Sequence, residues 1–268
     1  MRVGAVQMTS TDDLGANLAA ARAGVDAAVQ QGAEFVGLPE SFPFLRREDA
    51  PIACAQDLGG AIVAELRELA ARHQIWLLGG TFPERVPGES RAHNTSVLLS
   101  PAGEIAAVYR KIHLFDIDLS GRGGDAYTES AVIAPGDEVV VAQTPFGGVG
   151  LSVCYDLRFP ELYRAIARRG ATLLTVPSAF TPQTGKDHWE VLLRARAIEN
   201  QAFVVAPAQC GQHGAGRSSY GRSLIVDPWG LILAQAGDAP CAIVAECDFA
   251  SLERVRTALP ALTHRRLP

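Results

Sequence analysis

Short apolar segments alternate with helix-like segments along most of this chain, and this alternation restricts its fold more than any other feature. The segments 34–38, 149–153 and 172–176 have the length and composition of buried strands. Between the strand-like segments lie stretches in which apolar residues recur with a helical period, such as 61–73 and 160–169. Strands that alternate with helices of this length predict an α/β fold.

The length and composition favour one large domain that spans residues 1–268. The chain is 48% apolar and 20% charged, and no low-complexity stretch, charge block or linker divides it. Its net charge of -5 gives no attraction to nucleic acid or to anionic lipid, and no apolar run is long enough to span a bilayer. Residues 1–8 are typical of a first strand rather than a signal peptide. We therefore expect neither nucleic acid nor a membrane as a partner.

The cysteines indicate a reducing compartment. Five cysteines are scattered along the chain without a C-x-x-C pair: Cys54, Cys154, Cys210, Cys241 and Cys247. This usage argues against a disulfide framework or a zinc site and fits the cytoplasm. Cys241 and Cys247 are six residues apart, so one strand would present them on the same side, as packing residues.

Cys154 has the sequence context of a reactive thiol. It follows the apolar strand segment 148–153, and Pro160 begins a helical pattern shortly afterwards. Open α/β sheets keep their active sites at the carboxyl ends of strands, and the positive end of a helix favours a thiolate. The alternative is a packed core cysteine, because free cysteine is among the most buried residue types.

Two other ionisable residues also follow apolar strands directly. Glu40 comes after Val36-Gly37-Leu38-Pro39, and Lys111 comes after the strand-like segment 104–109. Taken alone, each could be a solvated residue at the end of a strand, since carboxylates and lysines are mostly exposed. Together with Cys154 they place a carboxylate, an amine and a thiol at strand ends.

These residues occur in motifs that resemble those of the nitrilase, or carbon-nitrogen hydrolase, superfamily. The motifs are Lys-Ile-His-Leu-Phe at 111–115 and Cys-Tyr-Asp-Leu-Arg-Phe-Pro-Glu at 154–161. The resemblance extends from Val6-Gln7-Met8 to His264-Arg265-Arg266. It implies an α/β fold of the nitrilase type, an α-β-β-α four-layer sandwich, whose relatives pair into homodimers or higher homo-oligomers.

The resemblance also implies a catalytic set. Glu40 would be the general base, Lys111 an electrophilic helper and Cys154 the nucleophile, while Glu129 matches an additional glutamate of the family's pocket. Hydrolysis of an amide through a thioester needs a nucleophile, a proton shuttle and donors for the oxyanion. Lys111 and the backbone N–H of Tyr155 would hold that oxyanion. This scheme requires neither a metal nor an organic cofactor.

A papain-like Cys–His mechanism is the competing interpretation of a reactive cysteine. The available histidines are His93, His113, His188 and His213. None lies in the sequence context of a cysteine protease, and His113 and His188 have simpler roles as structural or pocket-lining residues. His188 and Glu190 point apart on a helix, so their spacing does not suit a metal site.

Within the superfamily the chain is most similar to the Nit branch, which contains deaminated glutathione amidases and omega-amidases. Ala-Gln-Cys-Gly at 208–211, Ser-Tyr-Gly at 219–221 and the terminal His-Arg-Arg favour the first group. That group would cleave the amide that joins α-ketoglutarate to cysteinylglycine. Omega-amidases release ammonia from α-ketoglutaramate, which has the same α-keto-acid head. Acyl transfer to an amine and a catalytically idle scaffold are further alternatives.

The expected substrate is therefore a small amide with an α-keto-acid head, whose carboxylate needs a cation. Arg158 can form a bidentate clamp on that carboxylate, although an ion pair with Asp156 or Glu161 is an alternative role. Phe180 and Thr184, in a predicted loop at 178–186, would supply an apolar wall and a hydroxyl. A second loop at 116–128 is rich in glycine and has no clear secondary structure in the sequence.

Overall fold

The structure is a computed structural model, and it describes residues 1–45, 52, 54–122, 125–214 and 216–267. Numbered along the chain, the strands of the first sheet are β1 (Arg2–Gln7), β2 (Phe35–Gly37), β3 (Trp76–Leu78), β4 (Phe82–Glu84), β5 (Ala92–Leu99), β6 (Ile105–Arg110), β9 (Ile133–Ala134) and β18 (Cys241–Glu246). Their order is β18-β1-β2-β3-β5-β4, and β6 and β9 also pair with β5. The central strands β1, β2 and β3 are parallel, as the helices between them require.

The second sheet is built in the same way. Its strands are β10 (Val141–Thr144), β11 (Gly147–Leu151), β12 (Ala171–Thr175), β13 (Phe203–Ala206), β16 (Leu224–Val226) and β17 (Ile232–Gln235), in that order. The three strands β11, β12 and β13 are parallel and almost wholly buried. Two short hairpins complete the described strands: β7 (Asp116–Asp118) with β8 (Ala126–Thr128), and β14 (Cys210–Gln212) with β15 (Ser218–Tyr220).

Helices cover the outer face of each sheet. They are α1 (Leu14–Gln30), α2 (Ala61–His73), α3 (Pro160–Arg168), α4 (Pro182–Asn200) and α5 (Phe249–Ala258). Val25 of α1 and Leu66 of α2 share a buried cluster with Val36 of the first sheet. Ile166 of α3 and Leu193 of α4 instead pack with the second sheet. The helices α1 to α4 therefore bury their apolar sides on the sheet that each follows in the chain. Helix α5 follows β18 of the first sheet, but its Phe249 ring lies 4.9 Å from that of Phe203 in the second.

The inner faces of the two sheets pack against each other. Val3 and Leu78 of the first sheet lie in one buried cluster with Leu173 and Val204 of the second. The layers are thus helix, sheet, sheet and helix, which confirms the expected α-β-β-α four-layer sandwich. No helix in the described ranges is long and apolar enough to cross a membrane.

Two loop regions and one cysteine differ from the sequence predictions. The predicted loop at 178–186 is helical from Pro182 onward, because proline suits the first position of a helix. The stretch 116–128 contains the strands β7 and β8, although Gly123 and Gly124 lie outside the described residues. Cys241 is exposed while Cys247 is buried, so only the second is a packing residue. Cys241 begins β18, an edge strand, which leaves it open to solvent.

Candidate active site

Cys154 lies in a strained turn between β11 and α3. The strand ends at Leu151, and Cys154 begins a 3-10 helix that runs to Arg158. Its φ of 46° is a left-handed conformation that costs free energy for any residue with a Cβ. The backbone N–H of Cys154 donates to the carbonyl of Pro177 at 3.0 Å, which helps to fix the turn. The thiol therefore follows the strand by three residues rather than ending it.

A buried carboxylate holds this turn against the first sheet. Asp156 is fully buried and accepts hydrogen bonds from the Tyr109 hydroxyl at 2.6 Å and from the Val153 N–H at 2.8 Å. Its other oxygen accepts from the His113 backbone N–H at 3.0 Å and lies 2.7 Å from His113 Nδ1. Asp156 thus connects the segment around Lys111 to the residue that precedes the nucleophile. It is occupied by these groups, so the alternative ion pair with Arg158 is not formed.

Glu40, Lys111 and Glu129 form one connected network. Lys111 Nζ donates to Glu40 Oε1 at 3.0 Å and to Glu129 Oε2 at 2.8 Å. Asn94 Nδ2 donates to both carboxylates, at 3.0 Å to Glu40 and at 3.1 Å to Glu129. The second oxygen of Glu40 accepts the backbone N–H of Ala179 at 2.9 Å. Both carboxylates are therefore held in place by several donors.

This network is buried, and its charges stabilise one another. Lys111 has only 2% of its surface exposed. Burial disfavours its ammonium, but Glu129 and Glu40 outweigh that effect and hold the pKa of Lys111 well above its ordinary value. Burial likewise opposes ionisation of Glu129, but Lys111 dominates and lowers the pKa of that carboxyl. Lys111 is consequently a fixed cation that can face a developing negative charge.

Cys154 lines the same cavity as Glu40, Lys111 and Glu129. Burial raises the pKa of the Cys154 thiol well above its usual range, and the neighbouring Glu40 raises it further through its charge and a hydrogen bond. Lys111 acts in the opposite direction. The thiol is therefore protonated at neutral pH, with a carboxylate beside it that can accept the proton. This pairing differs from a Cys–His pair, in which an imidazole accepts the thiol proton.

The network opens into a cavity of about 120 Å³. Its described lining consists of Glu40, Ser41, Phe44, Leu45, Ile52, Pro83, Asn94, Lys111, Phe115, Tyr127, Glu129, Ile133, Cys154, Ala179, Thr181, Arg217, Ser218 and Ser219. This described lining includes no histidine, and His113 instead contacts Asp156 and stacks on Phe159 at 3.6 Å. The geometry favours the carboxylate-assisted thiol over the papain-like alternative.

The three residues predicted to bind substrate lie together beside this cavity and do not line it. Arg158 lies 5.4 Å from the centre of the Phe180 ring and 5.8 Å from that of Tyr155, and its Nη1 is 3.2 Å from His188 Nδ1. Thr184 is hydrogen-bonded through its hydroxyl to Thr181, which does line the cavity. Their contact with a substrate stays a prediction.

Several residues of the site were not identified from the sequence. Asn94 lies within β5, where the strand pattern gives no sign that its amide connects two carboxylates. Asp156 lies inside the motif at 154–161, but the local sequence suggests only an ion pair with Arg158. Arg217 and Ser219 belong to the hairpin of β14 and β15, whose position at the cavity depends on contacts distant in sequence.

Known proteins provide an independent comparison. The family model described as carbon-nitrogen hydrolase matches residues 2–257. The deaminated glutathione amidase of Synechocystis is 48% identical over 264 residues, which cover 97% of this chain and 96% of that protein. The human deaminated glutathione amidase is 43% identical over 268 residues, which cover 98% of this chain and 82% of that protein.

A solved structure of the same superfamily is also similar to this chain. The crystal structure of Saccharomyces cerevisiae Nit3, described as a member of branch 10 of the nitrilase superfamily, is 33% identical. It superposes with a TM-score of 0.90 and covers 100% of this chain and 97% of its own. Both the sequence match and the shared fold extend over nearly the whole chain, so the chain belongs to the carbon-nitrogen hydrolase family.

Proposed function

We propose that this protein is a thiol amidase that hydrolyses deaminated glutathione to α-ketoglutarate and cysteinylglycine. The observation that carries the proposal is that Cys154, Glu40 and Lys111 line one cavity, in which Lys111 Nζ donates to Glu40 at 3.0 Å. That arrangement supplies a nucleophile, a proton acceptor and a cation for an oxyanion. The choice of substrate is supported by relatives 43–48% identical that are named deaminated glutathione amidase.

In the first half of the reaction Cys154 forms a thioester. Glu40 takes the thiol proton as Sγ attacks the amide carbonyl carbon, so that the thiolate forms only when substrate is in place. The carbonyl oxygen becomes an oxyanion, which receives hydrogen bonds from Lys111 Nζ and the Tyr155 N–H. When the C–N bond breaks, Glu40 returns its proton to the nitrogen, and cysteinylglycine leaves as an amine. Removal of one oxyanion donor typically costs about 2.7–4 kcal/mol of barrier.

In the second half, water replaces the amine. Glu40 takes a proton from the water as its oxygen attacks the thioester carbonyl, and the same donors hold the second oxyanion. The C–S bond then breaks, α-ketoglutarate forms, and the Cys154 sulfur regains the proton from Glu40. Glu129 and Asn94 keep Lys111 and Glu40 in position throughout, because Glu129 accepts from Lys111 and Asn94 donates to Glu40 and to Glu129.

The acyl part of the substrate carries the α-keto acid, and we assign its carboxylate to Arg158, with Phe180 and Thr184 beside it. The scheme needs no metal or organic cofactor. We also propose that the protein is cytoplasmic and works as a homodimer or higher homo-oligomer. Exposed large apolar side chains support the homo-oligomer, since Val191 on α4 is 66% exposed and Trp229 is 59% exposed.

The test is a comparison of kcat/KM for deaminated glutathione, α-ketoglutaramate and a simple aliphatic nitrile. The proposal expects deaminated glutathione to be the best of the three and Cys154→Ala to be inactive with all of them. A preference for α-ketoglutaramate would make the protein an omega-amidase, and a preference for the nitrile would overturn the amide assignment. Unimpaired hydrolysis by Cys154→Ala would remove the nucleophile from the scheme.

A thioester can also be detected directly. Mass spectrometry of the acid-quenched enzyme during turnover should show the α-ketoglutaryl group on the peptide that contains Cys154. Addition of hydroxylamine should release it as a hydroxamate. The same experiment with a competing amine tests acyl transfer, because an N-acylated amine would then appear among the products.

A further inference from the structure

The hairpin of β14 and β15 brings three polar residues, Arg217, Ser218 and Ser219, to the cavity, and the catalytic scheme uses none of them. Arg217 and Ser219 both line the cavity, and neither belongs to the Glu40–Lys111–Cys154 network. The sequence segments around this hairpin, Ala-Gln-Cys-Gly and Ser-Tyr-Gly, also have no part in the chemistry so far. The position of Arg217 and Ser219 at the reaction cavity indicates that they contact the substrate.

The hairpin is anchored to both halves of the fold. The Cys210 N–H donates to the Met8 carbonyl at 2.7 Å, and the Tyr220 N–H donates to the Phe180 carbonyl at 2.8 Å. The Arg217 carbonyl accepts the His213 N–H at 2.9 Å, which closes the turn of the hairpin. Residues held in this way present their side chains to the cavity from a fixed backbone, as a specificity site requires.

The hydrogen-bonding direction of Ser219 follows from its buried neighbour His213. Nδ1 of His213 is 2.9 Å from the Ser10 carbonyl oxygen, which only accepts, so Nδ1 carries the hydrogen. Burial lowers the pKa of His213 and keeps the ring neutral, so Nε2 is an acceptor. Ser219 Oγ, at 2.8 Å from Nε2, must therefore donate its hydrogen to the histidine. Towards the cavity Ser219 offers only lone pairs, and it can accept an N–H.

Arg217 supplies a positive charge beside the acceptor Ser219. In the part of the lining that the structure describes, the cations are Lys111 and Arg217. Lys111 is bound by Glu40 and Glu129 and is committed to the reacting centre. Arg217 lies on another element, two residues from Ser219. A guanidinium and a fixed acceptor at this spacing match a carboxylate and a peptide N–H, which are the polar groups at the end of a dipeptide.

We infer that Arg217 and Ser219 form the subsite for the leaving group, with Arg217 on its C-terminal carboxylate and Ser219 Oγ on its peptide N–H. The inference rests on the proposed function, since cysteinylglycine has both groups and ammonia has neither. Two residues of extended chain span at most about 7 Å, and Arg217 lines the same cavity as Cys154. The subsite would thus favour peptide amides over primary amides.

A cycle of two enzymes and two substrates tests this assignment. The enzymes are the wild type and Arg217→Gln, and the substrates are deaminated glutathione and its analogue with a C-terminal carboxamide. The wild type should prefer the free carboxylate by about 10- to 100-fold in kcat/KM, the range of a charge-assisted contact. Arg217→Gln should reduce this preference to about 1. Arg254→Gln, which removes an exposed arginine on α5, is the matched control and should keep the wild-type preference.

A second pair of substrates distinguishes a contact with the leaving group from a contact with the acyl part of the substrate. With α-ketoglutaramate, which has no carboxylate in its leaving group, the ratio of kcat/KM between wild type and Arg217→Gln should be far smaller than with deaminated glutathione. Equal losses with both substrates would place Arg217 at the acyl end and overturn the inference. An unchanged preference for the carboxylate in Arg217→Gln would also overturn it. If the wild type failed to hydrolyse deaminated glutathione at all, the proposed function itself would fail.

Ser219→Ala tests the second contact. It should lower kcat/KM for deaminated glutathione more than for the depsipeptide analogue, in which an ester oxygen replaces the peptide N–H. An equal loss with the two substrates would show that Ser219 only supports the hairpin.

Discussion

Replacement of Asp156 by asparagine tests whether this buried carboxylate holds the nucleophile turn. The carboxylate accepts four hydrogen bonds, two at each oxygen, from Tyr109, Val153 and two nitrogens of His113. Asparagine keeps one oxygen and places an NH₂ group at the other. If the NH₂ group faces Tyr109, the hydroxyl can rotate to accept from it, but the Val153 N–H lacks an acceptor. If it faces His113, the backbone N–H of His113 lacks an acceptor.

The magnitude follows from these contacts. A buried N–H without a partner costs about 1–3 kcal/mol, and each of the two bonds that remain loses about 1 kcal/mol when its acceptor is no longer charged. Asp156→Asn should therefore lower the free energy of unfolding by about 3–5 kcal/mol. Val153 precedes Cys154, so displacement of the turn should also lower kcat by roughly 100-fold, since misplacement by about 1 Å has that effect.

Urea unfolding followed by tryptophan fluorescence measures the first effect, and steady-state kinetics under folding conditions measure the second. Asp187→Asn is the matched control, because this carboxylate is 65% exposed on α4 and should change stability by no more than about 0.5 kcal/mol. A loss of stability below about 1 kcal/mol, with kcat unchanged, would refute the assigned role of Asp156.

Three further perturbations have defined outcomes. Glu40→Gln removes a negative charge beside Cys154, so the pKa of the thiol should fall and turnover should be lost. The absorbance of the thiolate at 240 nm, followed against pH, measures the pKa. An unchanged or higher pKa would contradict the effect assigned to Glu40. Glu129→Gln leaves Lys111 with one anionic partner and should cost about 2 kcal/mol in urea unfolding, and no loss would show that the pair contributes nothing. Gly80→Ala places a Cβ against the carbonyl that precedes Glu40, at a φ of 50°, so it should reduce both stability and kcat; normal values of both would refute the close approach.

The strands and helices were largely predictable from the sequence because their apolar patterns are local. The predicted helix at 61–73 has the observed bounds of α2, and Lys111 follows its strand directly as expected. Cys154 and Glu40 each come three residues after the end of their strands. The sequence pattern does not predict β4, because a proline in the middle of three residues argues against a central strand. It lies at the edge of the first sheet, where proline is tolerated.

The connections between catalytic groups were harder to predict. The part played by Asn94 depends on two carboxylates that are 54 and 35 residues away along the chain. Arg217 reaches the cavity only because the hairpin docks on Met8 and Phe180, and neither contact leaves a pattern in the local sequence. An earlier start of α4 could have been predicted, since Thr181-Pro182 is a typical beginning of a helix.

The left-handed backbone of Cys154 has a consequence for how this protein can evolve. Glycine adopts a φ of 46° without penalty, so Cys154→Gly would relieve strain while it removes the thiol. Stability and chemistry thus make opposite demands on one position, and only selection for turnover keeps a cysteine there. In descendants of this gene that no longer need the reaction, glycine at 154 should be enriched over alanine or serine, which would mark retired enzymes by their sequence alone.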